Sequence, residues 1–161
     1  MKLYWLKFFV FLLRDKIKSI RMKYNIFLYA RKNNCSLSIT SNFTGRLSNL
    51  KIGENTVING NANFRFKKGK ITIGSDCLFG QNVTIISNTY VIEGVGTISP
   101  QNMYSKDVAI GDNVWIGVNV VIMPGIVIGN NSIVAASAVV TKNIGENEVW
   151  AGVPAKLKKR R

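Results

Sequence analysis

The sequence predicts an all-β domain of short stacked strands, wound as a coil with a six-residue step and preceded by one amphipathic α-helix. Ile110, Ile116, Ile122, Ile128, Val134 and Val140 recur at that step without a slip. Small residues follow most of them, at Gly111, Gly117, Gly129 and Ala135. Ahead of this region, Leu3, Leu6, Val10, Leu13, Ile17, Ile20, Tyr24 and Phe27 are spaced alternately three and four apart, a helical stripe at coiled-coil spacing. A helix would set residues six apart about 240° from one another and could not gather the hexad set on one face. A short strand closed by a turn in every step can.

The helical segment comes first, over residues 1–33. It carries nine basic residues against one acidic. Before Arg14, Trp5, Phe8, Phe9, Phe11 and Leu12 make it apolar nearly all round; from Arg14 to Lys23 the other faces are polar and basic. The apolar run is interrupted by Lys7 and has no small-residue cleavage site after it, so a signal peptide is not expected. It also falls short of the roughly 20 residues that span a bilayer. Two uses suit such a helix: packing of the stripe against the body or a sister subunit, and docking of a basic amphipathic face on an acidic membrane.

The repeats follow. Ile52, Ile58 and Phe64 form one looser set, and Ile73, Phe79 and Ile85 another, separated by three extra residues. Each step should point one branched side chain inward, with glycine or asparagine in the strained corner. Backbone groups should pair with the coils above and below, and several coils are needed to bury a core. The hexads stop at Ile85 and resume at Ile110. Part of the stretch between, with Gly94, Gly96 and Pro100, reads as a loop of about 87–107 thrown out of the coil. The repeat domain runs over 34–156, and 157–161 form a basic tail.

Composition narrows the chemistry. The net charge of +14, from 22 Lys+Arg against 8 Asp+Glu, calls for an anionic partner. Finger-type Cys/His pairs and an RNP-like aromatic strand are missing, so nucleic acid is not the expected one. Cys35 and Cys77 stand alone, which fits a reducing compartment. The chain has no histidine. Ser-His-Asp and Cys-His catalysis are thereby excluded, with any zinc site that needs imidazole, and no metal is expected.

"IGDNVWIG", "MPGIVIGNNS", "VVTKNI" and "AGVPAK" together resemble the hexapeptide-repeat acyltransferases, including galactoside, maltose and serine O-acetyltransferases and their polysaccharide-modifying relatives. The resemblance covers roughly residues 37–156. It implies a left-handed parallel β-helix with three hexads per triangular coil, so that 110–127 and 128–145 are two clean coils. It implies a homotrimer with acetyl-CoA bound between subunits, and a loop that reaches over a neighbour with the catalytic base. Matched residue by residue, Trp115 falls near the thioester end; Gly117, Ala136, Thr141 and Lys142 line the pantetheine and nucleotide; Lys156 and Lys159 lie near the phosphates. Val118 replaces the small polar residue that relatives carry after "WIG".

The base is the departure. Relatives place a catalytic histidine eight residues after the asparagine of "NVTI", and here that position is Tyr90. A phenol, with a reference pKa near 10, is a poor base at neutral pH and a fair hydrogen-bond donor. Glu93 is the nearest carboxylate in the loop, and Asn88 could orient an acceptor. Three readings stay open: acyl transfer to an amine, O-acyl transfer through Glu93 or Tyr90, and a catalytically silent trimer that binds CoA or a partner. The leading expectation is acetyl transfer to a hydroxyl or amino group of a sugar in cell-surface polysaccharide or its lipid-linked precursor. The cytoplasm, at the inner face of a bacterial membrane, is the expected place.

Overall fold

The hexad positions all turn inward: none of the residues from Ile52 to Val140 named above in the repeat series is more than 3% exposed. The structure, a computed structural model, describes residues 2–90 and 103–161, with the side chains of residues 2–12 and 15 excepted. Strands of two to four residues stack into three parallel sheets that form the sides of a triangular coil. The first side pairs Ser36–Leu37, Val57–Ile58, Leu78–Phe79, Trp115–Ile116, Ile133–Val134 and Glu148–Ala151, and Lys156–Arg160 folds back antiparallel on the last. The second side stacks Asn42–Gly45, Asn63–Phe66, Thr84–Ile86, Val121–Ile122 and Val139–Val140. The third stacks Leu50–Ile52, Ile71–Ile73, Val108–Ile110 and Val127–Ile128.

A second inward position, two residues before each hexad residue, was not visible in the pattern. It takes apolar side chains at most steps, such as Leu50, Ile71, Val83, Val114 and Ile126, and small or polar ones at others, such as Thr56, Ala62, Cys77, Ser132 and Ala138, all buried. The hydroxyls are satisfied: Thr56 Oγ1 donates to the Gly74 carbonyl at 2.9 Å and Ser132 Oγ to the Gly145 carbonyl at 2.7 Å. Burial pushes the Cys77 thiol above its ordinary pKa, and its Sγ lies 3.1 Å from the Gly111 carbonyl. Phe43, Phe64 and Phe79 stack edge to face through the first coils, with centroids 5.3 and 6.2 Å apart.

Asparagine and glycine divide the corners differently from the expectation. The left-handed backbone falls mainly on asparagine, including Asn55, Asn82, Asn113, Asn119 and Asn131 at φ between 54° and 60°, with Asp76 and Ser137 at 58° and 60°. The asparagine amides form ladders between coils, Asn82 to Asn119 at 3.0 Å and Asn113 to Asn131 at 2.9 Å. The glycines after the inward residues serve close approach instead. A Cβ on Gly117 would lie 2.5 Å from the Ala136 backbone nitrogen, and one on Gly74 2.7 Å from the Gly111 carbonyl carbon.

The coils differ in length at one corner. Stacked partners are 21 residues apart in the first coils, 37 across the third, 18 after it and 16 at the C-terminal end, where the coil from Ile128 is two residues shorter than three hexads. The added residues always enter between the second and third sides. They form the turn at Leu47–Asn49 in the first coil and the Lys67–Lys70 turn in the second; in the third they form an arm. This insertion corner positions the candidate site.

The helix Lys2–Lys32 closes the N-terminal end of the coil with a different face from the predicted stripe. Ile26 and Ala30 are buried, Met22 and Tyr29 pack beside them, and the Tyr29 hydroxyl accepts the Ile52 N–H at 2.8 Å. The stripe residues Ile17, Ile20, Tyr24 and Phe27 are more than half exposed. Packing of that stripe on the protein's own body is therefore corrected: β-branched and aromatic residues lie on two faces of this helix, and only one meets the coil.

Candidate active site

The arm rises from the insertion corner as two antiparallel strands, Asn88–Tyr90 and Met103–Ser105, with Tyr90 opposite Met103 and Ser105 opposite Asn88. Alternation along a strand puts Asn88, Tyr90, Met103 and Ser105 on one surface of the arm. Ser87 anchors its base. The Ser87 N–H donates to the Arg65 carbonyl at 2.9 Å, and its own carbonyl accepts the Lys106 N–H at 3.0 Å.

Asn88 is 7% exposed, yet its Oδ1 has no hydrogen-bond partner among the described residues, and neither has the buried Ser105 Oγ across from it. A buried polar atom left unpaired costs about 1–3 kcal/mol, so two such atoms on residues paired across the arm call for a ligand or partner group. Tyr90 stands at the outer end of the same surface, 42% exposed. Ser105 is a site residue that sequence reasoning missed, because its place opposite Asn88 depends on the register of the arm. Glu93 lies outside the described residues.

The other expected site residues are distributed around the coil. Trp115 points out from the first side, 52% exposed, in one apolar column with Leu78 and Ile133. Gly117 and Ala136 stack on one another at the corner between the first and second sides, Gly117 buried and Ala136 exposed. Thr141 and Lys142 are exposed at the insertion corner two coils beyond the arm, about 10 Å along the axis at the usual interstrand spacing. Lys156 and Lys159 are exposed on the terminal strand, opposite Ala151 and Val149. There the Glu148 carboxylate accepts the Trp150 Nε1–H and the Gly145 N–H, both at 2.8 Å, which lowers its pKa below the ordinary value.

One protomer therefore keeps Tyr90 and Trp115 on different parts of its perimeter, with the third side between them. Val118, the apolar departure after "WIG", is 43% exposed beside Gly117. No group of three or more potential metal ligands gathers among the described residues.

A three-sided coil of hexads with an arm at one corner defines a class, the parallel β-helices built from hexapeptide repeats. The chain belongs to the hexapeptide-repeat acyltransferase family, whose β-helix is left-handed. Residues 107–142 match the family described as bacterial transferase hexapeptide (six repeats), and residues 70–95 match the hexapeptide repeat of succinyl-transferase. The galactoside O-acetyltransferase of Escherichia coli is 40% identical over 110 residues, covering 68% of this chain and 53% of that protein. A hexapeptide-repeat containing acetyltransferase of Vibrio cholerae superposes with a TM-score of 0.72 at 25% identity, over 89% of this chain and 88% of that one. Its complex with acetyl coenzyme A superposes at 0.62 with 30% identity, over 70% and 60%. The polySia specific acetyltransferase NeuO superposes at 0.60 with 31% identity, over 69% and 51%. The chain spans about half the length of the curated relatives it matches.

Proposed function

We propose that the protein transfers an acetyl group from acetyl-CoA to a hydroxyl or amino group of a sugar, in the building of cell-surface polysaccharide. The observation that carries this is the arm, which presents two unpaired buried polar atoms, Asn88 Oδ1 and Ser105 Oγ, beside Tyr90. In this reading Asn88 Oδ1 accepts a hydrogen bond from an acceptor O–H or N–H and aims its lone pair. The acceptor atom attacks the thioester carbonyl, the carbon–sulfur bond breaks, and the coenzyme leaves as the thiol with the proton the acceptor loses. The Tyr90 hydroxyl, a donor, stabilises the oxyanion that forms on the way. Glu93 takes the proton from a hydroxyl acceptor and returns it to the leaving thiolate; a neutral amine needs no such base to attack, and its proton passes to the thiolate after attack.

The separation of Tyr90 from Trp115 supports assembly as a homotrimer, in which the arm of one protomer meets the Trp115 side of the next. Lys142, Lys156 and Lys159 then serve the phosphates of CoA. The exposed helical stripe beside Lys16, Lys18, Arg21 and Lys23 supports peripheral attachment to an acidic membrane at the cytoplasmic face, and no helix is long and apolar enough to cross one among the described residues.

The absence of histidine favours one rival, a catalytically silent trimer that binds CoA or a partner. Thiol release from acetyl-CoA, followed over a panel of amino and hydroxyl sugars, separates the two. Sugar-dependent release with recovery of the acetylated sugar is the expected result. CoA binding without release on any acceptor would establish the rival.

A further inference from the structure

We propose that the acceptor is an anionic sugar, carrying a phosphate or a carboxylate that docks on a basic cluster at the foot of the arm; this rests on the sugar-acceptor reading above. The cluster is Arg65, Lys67, Lys68 and Lys70, all exposed. It follows from where the coils lengthen. The extra residues of the second coil make the Lys67–Lys70 turn, and those of the third make the arm directly beyond it.

Ser87 ties the cations to the arm. Its N–H and Oγ–H both donate to the Arg65 carbonyl, at 2.9 and 3.2 Å, and the Lys106 N–H donates to its carbonyl. Gly69 lies so close that a Cβ there would stand 2.6 Å from the Ser87 carbonyl oxygen. The next residue is Asn88, with its unpaired buried Oδ1. Arg65 and the Lys67–Lys70 turn thus adjoin the residue from which the acceptor site begins, while the Lys106 ammonium lies 5.6 Å from the Tyr104 ring centroid on the other surface of the arm. The described acidic side chain among them is Asp107, whose Oδ1 accepts the Lys70 N–H at 2.8 Å.

Cations clustered this way raise one another's cost unless an anion is present, and exposed ones act over about 10 Å at ordinary salt. The acceptor therefore has two ends in this site. Its hydroxyl or amine meets Asn88, Ser105 and Tyr90, and its charge meets the Lys67–Lys70 turn. The coenzyme's phosphates are assigned elsewhere, to Lys142 two coils away and to the terminal strand, so the two anionic ligands do not compete.

Equilibrium binding to the full chain tests the proposal without requiring turnover. Galactose 1-phosphate and galacturonic acid are titrated by calorimetry against neutral methyl galactoside, each with CoA present. Expected is binding of at least one charged sugar about tenfold or more tighter than the neutral one, weakened by added salt. Preference for galactose 1-phosphate assigns the charge to a phosphate, and preference for galacturonic acid to a carboxylate. Lys67→Ala with Lys68→Ala should cost the charged sugar about tenfold and leave CoA affinity unchanged. Lys16→Ala with Lys18→Ala removes the same charge from the helix and should cost the sugar nothing. Equal affinity for charged and neutral sugars would overturn the proposal, as would equal losses in the two double variants or a loss of CoA affinity with the sugar's. Failure of acetyl transfer with intact charged-sugar binding would overturn the enzyme reading alone.

Discussion

At the scale of single residues, the corner chemistry separates two roles that a glycine-rich repeat merges. Asn119 holds a left-handed φ of 58° and its Oδ1 accepts from Asn82 Nδ2, while Gly117 lets the next coil approach. Replacing Gly117 by alanine forces a methyl group to 2.5 Å from the Ala136 backbone nitrogen, which a flexible side chain cannot relieve. Chemical denaturation should show a loss of about 1–3 kcal/mol for Gly117→Ala, in the range of overpacked cores. Asn119→Gly, which keeps the backbone conformation, should lose about 1 kcal/mol or less. A loss below about 0.5 kcal/mol for Gly117→Ala would mean that the coil yields to the added methyl group and that close approach does not set the demand at Gly117. The same scale governs Tyr90. If the site lacks only a base, Tyr90→His should raise O-acetyl transfer, since a positioned general base contributes about 10²–10⁴-fold. The gain should appear in kcat with CoA affinity nearly unchanged. No gain, with activity lost in Glu93→Gln, would assign the base to Glu93.

At the scale of elements, the helix shows what a periodic pattern does and does not reveal. Its existence was legible from the three-and-four spacing, but the docking face was not. Met22, Ile26 and Ala30 lie on a face that the heptad stripe does not include, and only the end of the coil, with Ile52 and Tyr29 in contact, selects it. The inward hexad residues were legible for the opposite reason. A β-coil repeats one environment, so one spacing reports many positions at once. The second inward set escaped because it mixes Thr56, Ala62, Cys77 and Ser132 with Leu50, Ile71, Val114 and Ile126, so no one residue type or polarity marks it. The arm was legible as an interruption of the hexads, yet its register, and with it Ser105, was not. The helix prediction follows from its two faces. Ile26→Ala should destabilise the fold by about 2–5 kcal/mol, as buried Ile-to-Ala changes do. Ile17→Ser with Ile20→Ser should leave the melting transition within about 0.5 kcal/mol, because both residues are exposed. The same pair should reduce co-sedimentation with anionic vesicles. Unchanged vesicle binding, with a weakened trimer, would assign the stripe to contact between subunits.

At the scale of the whole molecule, the question is whether one chain can complete the site. Tyr90 stands on the arm at the insertion corner, and Trp115 projects from the first side beyond the third. Six extended residues reach at most about 20 Å, so each side of the triangle holds its groups well apart. A closed ring of three copies solves this with one repeated heterologous contact, arm of one protomer to first side of the next. The arrangement makes a quantitative prediction for mixed assemblies. Asn88→Ala should disable the arm and Trp115→Ala the opposing side, and each variant alone should be nearly inactive. Co-expressed in equal amounts and assembled at random, three-quarters or so of the trimers contain both kinds of protomer. Every such ring has one junction where an intact arm meets an intact first side, because the defective partners fall on the other junctions. The mixture should therefore recover about a quarter of wild-type acetyl transfer. Variants purified separately and combined without exchange of subunits should recover none. Recovery near zero in the co-expressed sample, with mixed trimers confirmed by mass, would mean that one protomer supplies both groups and that the arm folds back over its own coil.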